Sequence, residues 1–115
     1  MRRGEVRLID LEPVRGSEAN KRRPAVVVSN DQANAAAARL GRGVVTVVPL
    51  TSSVRRVYAF QTLLPATSSG LPVDSKAQAE QVRAVAVERV GPVLGRLPDE
   101  LMLALDDALR LHLQL

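Results

Sequence analysis

The sequence predicts a mainly β domain, a small barrel or strongly bent sheet with one helix packed outside it. Three observations carry that expectation. Short apolar or alternating runs recur between Gly, Pro, Asn and Ser punctuation. The last segment alone shows a clear apolar stripe at helical spacing. No internal repeat and no linker divides the 115 residues, so 1–115 read as a single domain with room for a modest core.

Glu5–Leu11 is β-prone and alternating, and Glu12-Pro13 stops it. Val14–Arg22 reads as loop, with Gly16 and Ser17 as turn residues. Pro24–Ser29 is an apolar run bounded by turn signals, as expected of a strand buried on both faces. Asp31 is positioned to cap an alanine-rich helix through Leu40, closed by Gly41 and Gly43; an irregular excursion is the alternative. Val44–Leu50 is the second strongly apolar strand, with Thr51-Ser52-Ser53 directly after it and Arg55-Arg56 in a turn. Tyr58–Leu64 alternates as a strand with Phe60 inward, and Pro65–Pro72 is a turn-rich loop. Ser75–Val87 reads as extended and half-exposed, and Val90–Leu97 as a short strand or irregular return.

Pro98–Leu115 is the helix. Proline suits a first turn, and Asp99 and Glu100 complement the positive helix end. Leu101, Leu105, Ala108, Leu109 and His112 form its inward stripe.

Charge is unevenly placed. Met1–Arg56 holds 11 basic and 5 acidic residues, a balance of +6, against −2 for the remainder. The basic half fits a polyanion-binding face, or chance in a small chain. The basic run Lys21-Arg22-Arg23 stands directly before Pro24. The residue before a proline is driven to an extended conformation, so Arg23 is held straight at the strand entrance. A planar, always-charged guanidinium fixed there suits a phosphate-bearing ligand; a solvated basic turn is the bland reading.

Several chemistries are excluded. The chain has no cysteine, so neither a disulfide nor a thiolate site can form. No early apolar run is long enough for a signal peptide and nothing approaches a membrane span, so a soluble cytoplasmic protein is expected. His112 is the single histidine and sits on the helix stripe as a packed residue, so no Ser-His-Asp arrangement can be built on it. No metal-ligand spacing, phosphate loop or dinucleotide fingerprint is present, and no cofactor is expected. With one Tyr, one Phe and no Trp, a base-stacking sheet is disfavoured. Any catalysis must use arginine, hydroxyl and carboxylate groups.

Arg3-Gly4-Glu5-Val6, Gly16-Ser17-Glu18, Arg23-Pro24 through Asn30, Val47 through Thr51, and Ala79-Glu80-Gln81-Val82-Arg83 together resemble the MazF/PemK family of toxin endoribonucleases. The resemblance runs from Arg2 into the terminal helix. It implies an SH3-like small barrel, MazF/PemK/CcdB-like, with a C-terminal helix packed on the sheet. It implies metal-independent, sequence-specific cleavage of single-stranded RNA, a homodimer, and a cognate antitoxin with which the toxin binds DNA. Arg23 would be the catalytic arginine and Thr51 the catalytic hydroxyl, with Ser52 beside it. Glu18 and Ser52 are candidates for a catalytic or substrate-contact role. Ser17, Asn20, Lys21, Arg55, Arg56, Gln81 and Arg83 would bind RNA. The chain departs from many members at Arg7-Leu8, where they carry an aromatic, and in its long Asn34–Arg42 excursion.

RNA carries its own nucleophile, the 2′-hydroxyl. Attack on the adjacent phosphorus builds charge that a guanidinium and a hydroxyl can meet. Arginine is a poor base, so the proton acceptor stays open, with Glu18 the nearest candidate. Two other readings share the composition. A gyrase-binding toxin of the same fold would end in Trp-Gly-Ile, whereas this chain ends Leu113-Gln114-Leu115. A noncatalytic polyanion-binding barrel explains the basic half but leaves Arg23 and Thr51 without a joint purpose.

Overall fold

The computed structural model describes residues 1–12 and 15–115. The expected stop at Pro13 and the first loop residue, Val14, lie outside the described residues. Seven strands are described: β1 (Glu5–Asp10), β2 (Arg22–Val27), β3 (Val44–Thr51), β4 (Gln61–Leu64), β5 (Ser75–Gln78), β6 (Arg83–Ala86) and β7 (Val90–Arg96). Three helices accompany them: α1 (Asp31–Leu40), the four-residue α2 (Ala66–Ser69) and α3 (Asp99–Leu113). Single 3-10 turns at Ala79–Gln81 and Val87–Arg89 separate β5, β6 and β7.

The sheet runs β4-β5-β3-β2-β1-β7, with β6 on β3 beside this path. All pairings are antiparallel. This corrects the barrel expected from the sequence. Among the described residues β4 and β7 do not pair, so the sheet stays open. Closure would need each edge to find a partner strand. Instead β7 leaves through buried Leu97 into α3, and the helix lays Met102 and Leu105 against Leu64 and Leu71. Helix side chains cover the apolar surface that closure would otherwise have buried.

Strand side chains alternate between faces, and both faces are covered. Val6, Val26, Val48, Leu50, Leu64 and Ala77 pack under α3. Ile9, Ala25, Val27, Val45, Val47 and Val85 face the other way, where α1 contributes Ala37. A strand buried on both sides reads as a continuous apolar run, which is why β2 and β3 were legible.

β3 organises the sheet. Along one edge it pairs β2 from Val47 to Pro49. Its other edge is divided, with Val44–Val47 on β6 and Leu50–Thr51 on β5. The turn Ala79–Gln81 is the step between these two partners. The expected continuous extended stretch over Ser75–Val87 is therefore two short strands with a turn between them, a second turn beginning at Val87, and Ser75, Lys76 and Ala77 are buried rather than half-exposed.

Other boundaries moved for local reasons. β2 begins at Arg22, because Asp10 and Ile9 offer partners to Arg22 and Arg23. Arg23 thus lies within the strand rather than at its entrance. Asn30, not Asp31, caps α1, its side chain accepting from the Ala33 amide. Gly41 closes α1 at φ 64°, a left-handed conformation that glycine adopts without a Cβ penalty. β4 starts only at Gln61, leaving Phe60 half-exposed and stacked on Tyr58. On α3 the buried positions are Met102, Leu105 and Ala108, and His112 is exposed beside Phe60 rather than packed inward. In β7, Gly91 lets the strand pass close to β1, since a Cβ there would meet the Leu8 carbonyl oxygen at 2.7 Å.

Asp31 instead joins the chain start to α1. The Arg3 amide donates to its carboxylate, while the Arg3 guanidinium reaches the Val28 carbonyl and Asp106 of α3. The bond from Arg3 holds the Asp31 carboxyl below the usual carboxylate range. A lowered folded-state value stabilises the fold at pH above the ordinary carboxylate value, and this is lost as pH falls through the lowered one. Asp31→Asn should therefore reduce the melting temperature at neutral pH, and the difference from wild type should vanish on acidification below the carboxylate range. Leu105 is fully buried in the α3 core, and Leu105→Ala should cost about 2–5 kcal/mol in urea unfolding.

Candidate functional site

The register of β2 on β3 decides which side chains share a face. Ala25 stands opposite Pro49 and Val27 opposite Val47. The paired residues end at Ala25 and Pro49, and continuing the same alternation two residues beyond them directs Arg23 and Thr51 to the same end of the face away from α3. Val47 is in turn opposite Arg83, and Thr51 opposite Lys76. Arg23, Thr51, Arg83 and Lys76 therefore lie on one face. α1 covers that face at the Val27 and Val45 end, leaving the Arg23 and Thr51 end to the loop 15–20.

Arg23 is half-buried and held by the loop before it. Its Nε donates to the Asn20 carbonyl at 2.7 Å and a terminal nitrogen to Asn20 Oδ1 at 3.1 Å. Asn20 fixes the guanidinium with its backbone and side chain together, leaving the rest of the fork for an oxyanion. Thr51 Oγ1 accepts from the Ser53 amide at 3.2 Å, which fixes the hydroxyl oxygen while leaving its proton to donate.

The turn Ala79–Gln81 ties both flanking loops. Gln81 Oε1 accepts from the Ala19 amide at 2.9 Å, and its Nε2 donates to the Ser17 carbonyl at 3.0 Å. Glu80 Oε2 accepts from Gln61 Nε2 at 2.7 Å, and Gln61 Oε1 accepts from the Tyr58 amide. One residue thus steadies the loop 15–20 and its neighbour the segment 53–58. Glu80 Oε1 is buried with no partner among the described residues.

The remaining candidates are placed as follows. Arg83 donates to the Leu11 carbonyl at 3.3 Å, so Gln81 and Arg83 act here as braces. Lys21 is exposed with φ 64°, its amide donating to Glu12. Glu18 is exposed and closes a turn onto the Arg15 amide at 2.9 Å, so it is not drawn to Arg23. Ser52 is exposed. Arg55 and Arg56 line a cavity of about 520 Å³ with Ser53, Tyr58 and Lys76, on the β5 side of β3. Arg7, in place of an aromatic, is spent on Glu5 and the Gly91 carbonyl. Sequence reasoning missed Lys76 and Gln61. Strand alternation is the available signal, but Lys76 falls in a segment read as half-exposed and Gln61 in a strand read with Phe60 inward, so neither stands out.

Among the described residues no group of three or more His, Cys, Asp or Glu side chains is placed to hold a metal ion. No helix there is long and apolar enough to cross a membrane.

Residues 2–113 match the family described as PemK-like, MazF-like toxin of type II toxin-antitoxin system. Over all 115 residues the chain is 62% identical to the endoribonuclease MazF9 of Mycobacterium tuberculosis (strain ATCC 25618 / H37Rv), covering 98% of it. A crystal structure of MazF from Deinococcus radiodurans shares the fold, with a TM-score of 0.81 at 24% identity, covering all of this chain and 97% of that one. A mycobacterial endoribonuclease solved in complex with its cognate antitoxin does likewise, with a TM-score of 0.78 at 23% identity, all of this chain and 96% of that one. The chain belongs to the MazF/PemK-like toxins of type II toxin–antitoxin systems.

Proposed function

We propose that the chain is an endoribonuclease toxin that cleaves single-stranded RNA at chosen sequences by 2′-hydroxyl attack, without a metal ion. The observation that carries this reading is the β2–β3 register, which brings Arg23 and Thr51 to the same end of one sheet face. The Arg23 fork offers parallel donors to the charge that grows on the phosphate oxygens. Thr51 offers a further donor from the neighbouring strand. The 2′-oxygen gives up its proton as it bonds to phosphorus, the bond to the 5′-oxygen breaks, and that oxygen takes up a proton, so a 2′,3′-cyclic phosphate and a 5′-hydroxyl result. With Glu18 turned onto Arg15, the proton acceptor is not assigned to it.

Membership of the family and the relatives named as endoribonucleases support nuclease activity. The exposed Arg55, Arg56 and Lys21 would guide the strand, and Ser17 and Asn20 would contact it from the loop that Gln81 braces, with Arg83 held on the Leu11 carbonyl beside it. A cognate antitoxin would neutralise the toxin in the cytoplasm. The antitoxin complex of a mycobacterial relative supports that partner. A homodimer is the assembly we infer. The unpaired edge of β7, with exposed Val93 and Leu94, and the exposed Leu103 and Leu111 of α3 are apolar surfaces available to it.

Purified protein incubated with total RNA and EDTA should yield discrete fragments ending in 5′-hydroxyl groups. Arg23→Ala should slow single-turnover cleavage by about a hundredfold or more, and Thr51→Val should act in the same direction less severely. Wild-type cleavage by both folded variants would place the chemistry elsewhere. Sedimentation at roughly tens of micromolar, a working range for modest interfaces, should show a dimer; monomer alone would exclude it.

A further inference from the structure

Lys76 is the most deeply buried cationic side chain of the described residues, only 8% exposed. Its Nζ donates to the Arg56 carbonyl at 2.6 Å and lies 5.8 Å from the centre of the Tyr58 ring. An ammonium has three donors, and among the described residues one protein acceptor meets this one. The ion pairs among the described residues join Arg3 to Asp106, Arg7 to Glu5 and Arg110 to Asp107, and Lys76 is in none of them. A buried cation without an anion is costly, so the site is poised for one.

The surroundings agree. The cavity that Lys76 lines is completed by Ser53, Arg55, Arg56 and Tyr58, all cations or hydroxyls and no carboxylate. Lys76 also stands directly opposite Thr51. With Arg23 set against Thr51 from β2, an arginine, a threonine and a lysine form one row across three adjacent strands. The outer two are separated by two strand spacings, roughly 10 Å.

We propose that this cavity is a second phosphate subsite for the RNA strand, with Lys76 as its fixed cation. The subsite rests on the ribonuclease reading given above. A strand lying across the row presents its scissile phosphate to Arg23 and Thr51, and a further phosphate along the chain to Lys76. Arg55 and Arg56 close over that phosphate from the segment that Gln61 and Glu80 steady. Lys76 thereby sets the direction in which the strand crosses β3. Its position beside Thr51 favours RNA over an acidic peptide, because a nucleic acid carries a charge at every link and occupies both positions at once.

The test is the salt dependence of binding to a mixed-sequence 2′-O-methyl RNA, which lacks the attacking hydroxyl. Lys76→Met keeps the apolar stem and removes the charge. It should lower the magnitude of the slope of log K against log salt by about 0.7, the single-strand value for one phosphate contact, and Lys76→Arg should retain the slope. A wild-type slope for folded Lys76→Met overturns the proposal. If Lys76→Met does not fold, Lys76→Gln is read by the same criterion. Lost binding of poly-glutamate with an unchanged RNA slope assigns the cavity to an acidic peptide and also overturns it. Failure of the wild type itself to bind RNA marks the ribonuclease reading as the one that fell, and the subsite with it.

Discussion

The pairing of β2 with β3 is the constraint on which the site depends. Val26 opposite Val48 puts two branched apolar side chains under α3, and Val27 opposite Val47 does the same on the α1 face. A slip of one residue would turn every side chain of β2 to the wrong face. Two apolar cores hold that register from opposite sides, so Arg23 cannot leave the face of Thr51 without breaking both. Hydrophobic burial, which has no directional preference of its own, here determines where a guanidinium points.

The divided edge of β3 does the complementary work. β5 and β6 each pair with only part of it, and the turn between them carries Glu80 and Gln81. Gln81 is bonded to the loop that presents Asn20 and Arg23, and Glu80, through Gln61, to the segment that presents Arg56 and Tyr58. The loop 15–20 and the segment 53–58 are therefore braced from one short turn rather than left to loop flexibility. Side chains locked by neighbouring hydrogen bonds lose less freedom on meeting a ligand.

The open sheet follows from the same economy of chain. β4 and β5 have four residues each, too short to complete a barrel wall with the long strands. α3 covers the resulting apolar face, with Arg3 fastening the helix through Asp106 to the start of α1. The edges left by an unclosed sheet are surfaces for another chain, since unpaired backbone groups seek partners.

The sequence by itself determined the local structure with strong signals. β2 and β3 were legible because a doubly buried strand must be apolar throughout. α3 was legible from its stripe, and the end of α1 from Gly41. The resemblance in motif order pointed to Arg23 and Thr51, and proline next to Arg23 explained its extended backbone. What the tertiary structure alone decided was pairing and proximity. No local pattern states that β7 and β4 remain apart, that Glu18 folds back on Arg15, or that Lys76 faces Thr51 from β5. His112 lies on a helical stripe yet is exposed beside Phe60. Periodicity reports how a segment divides its own faces. Which neighbour meets each face is a long-range matter, settled by the packing of both cores together.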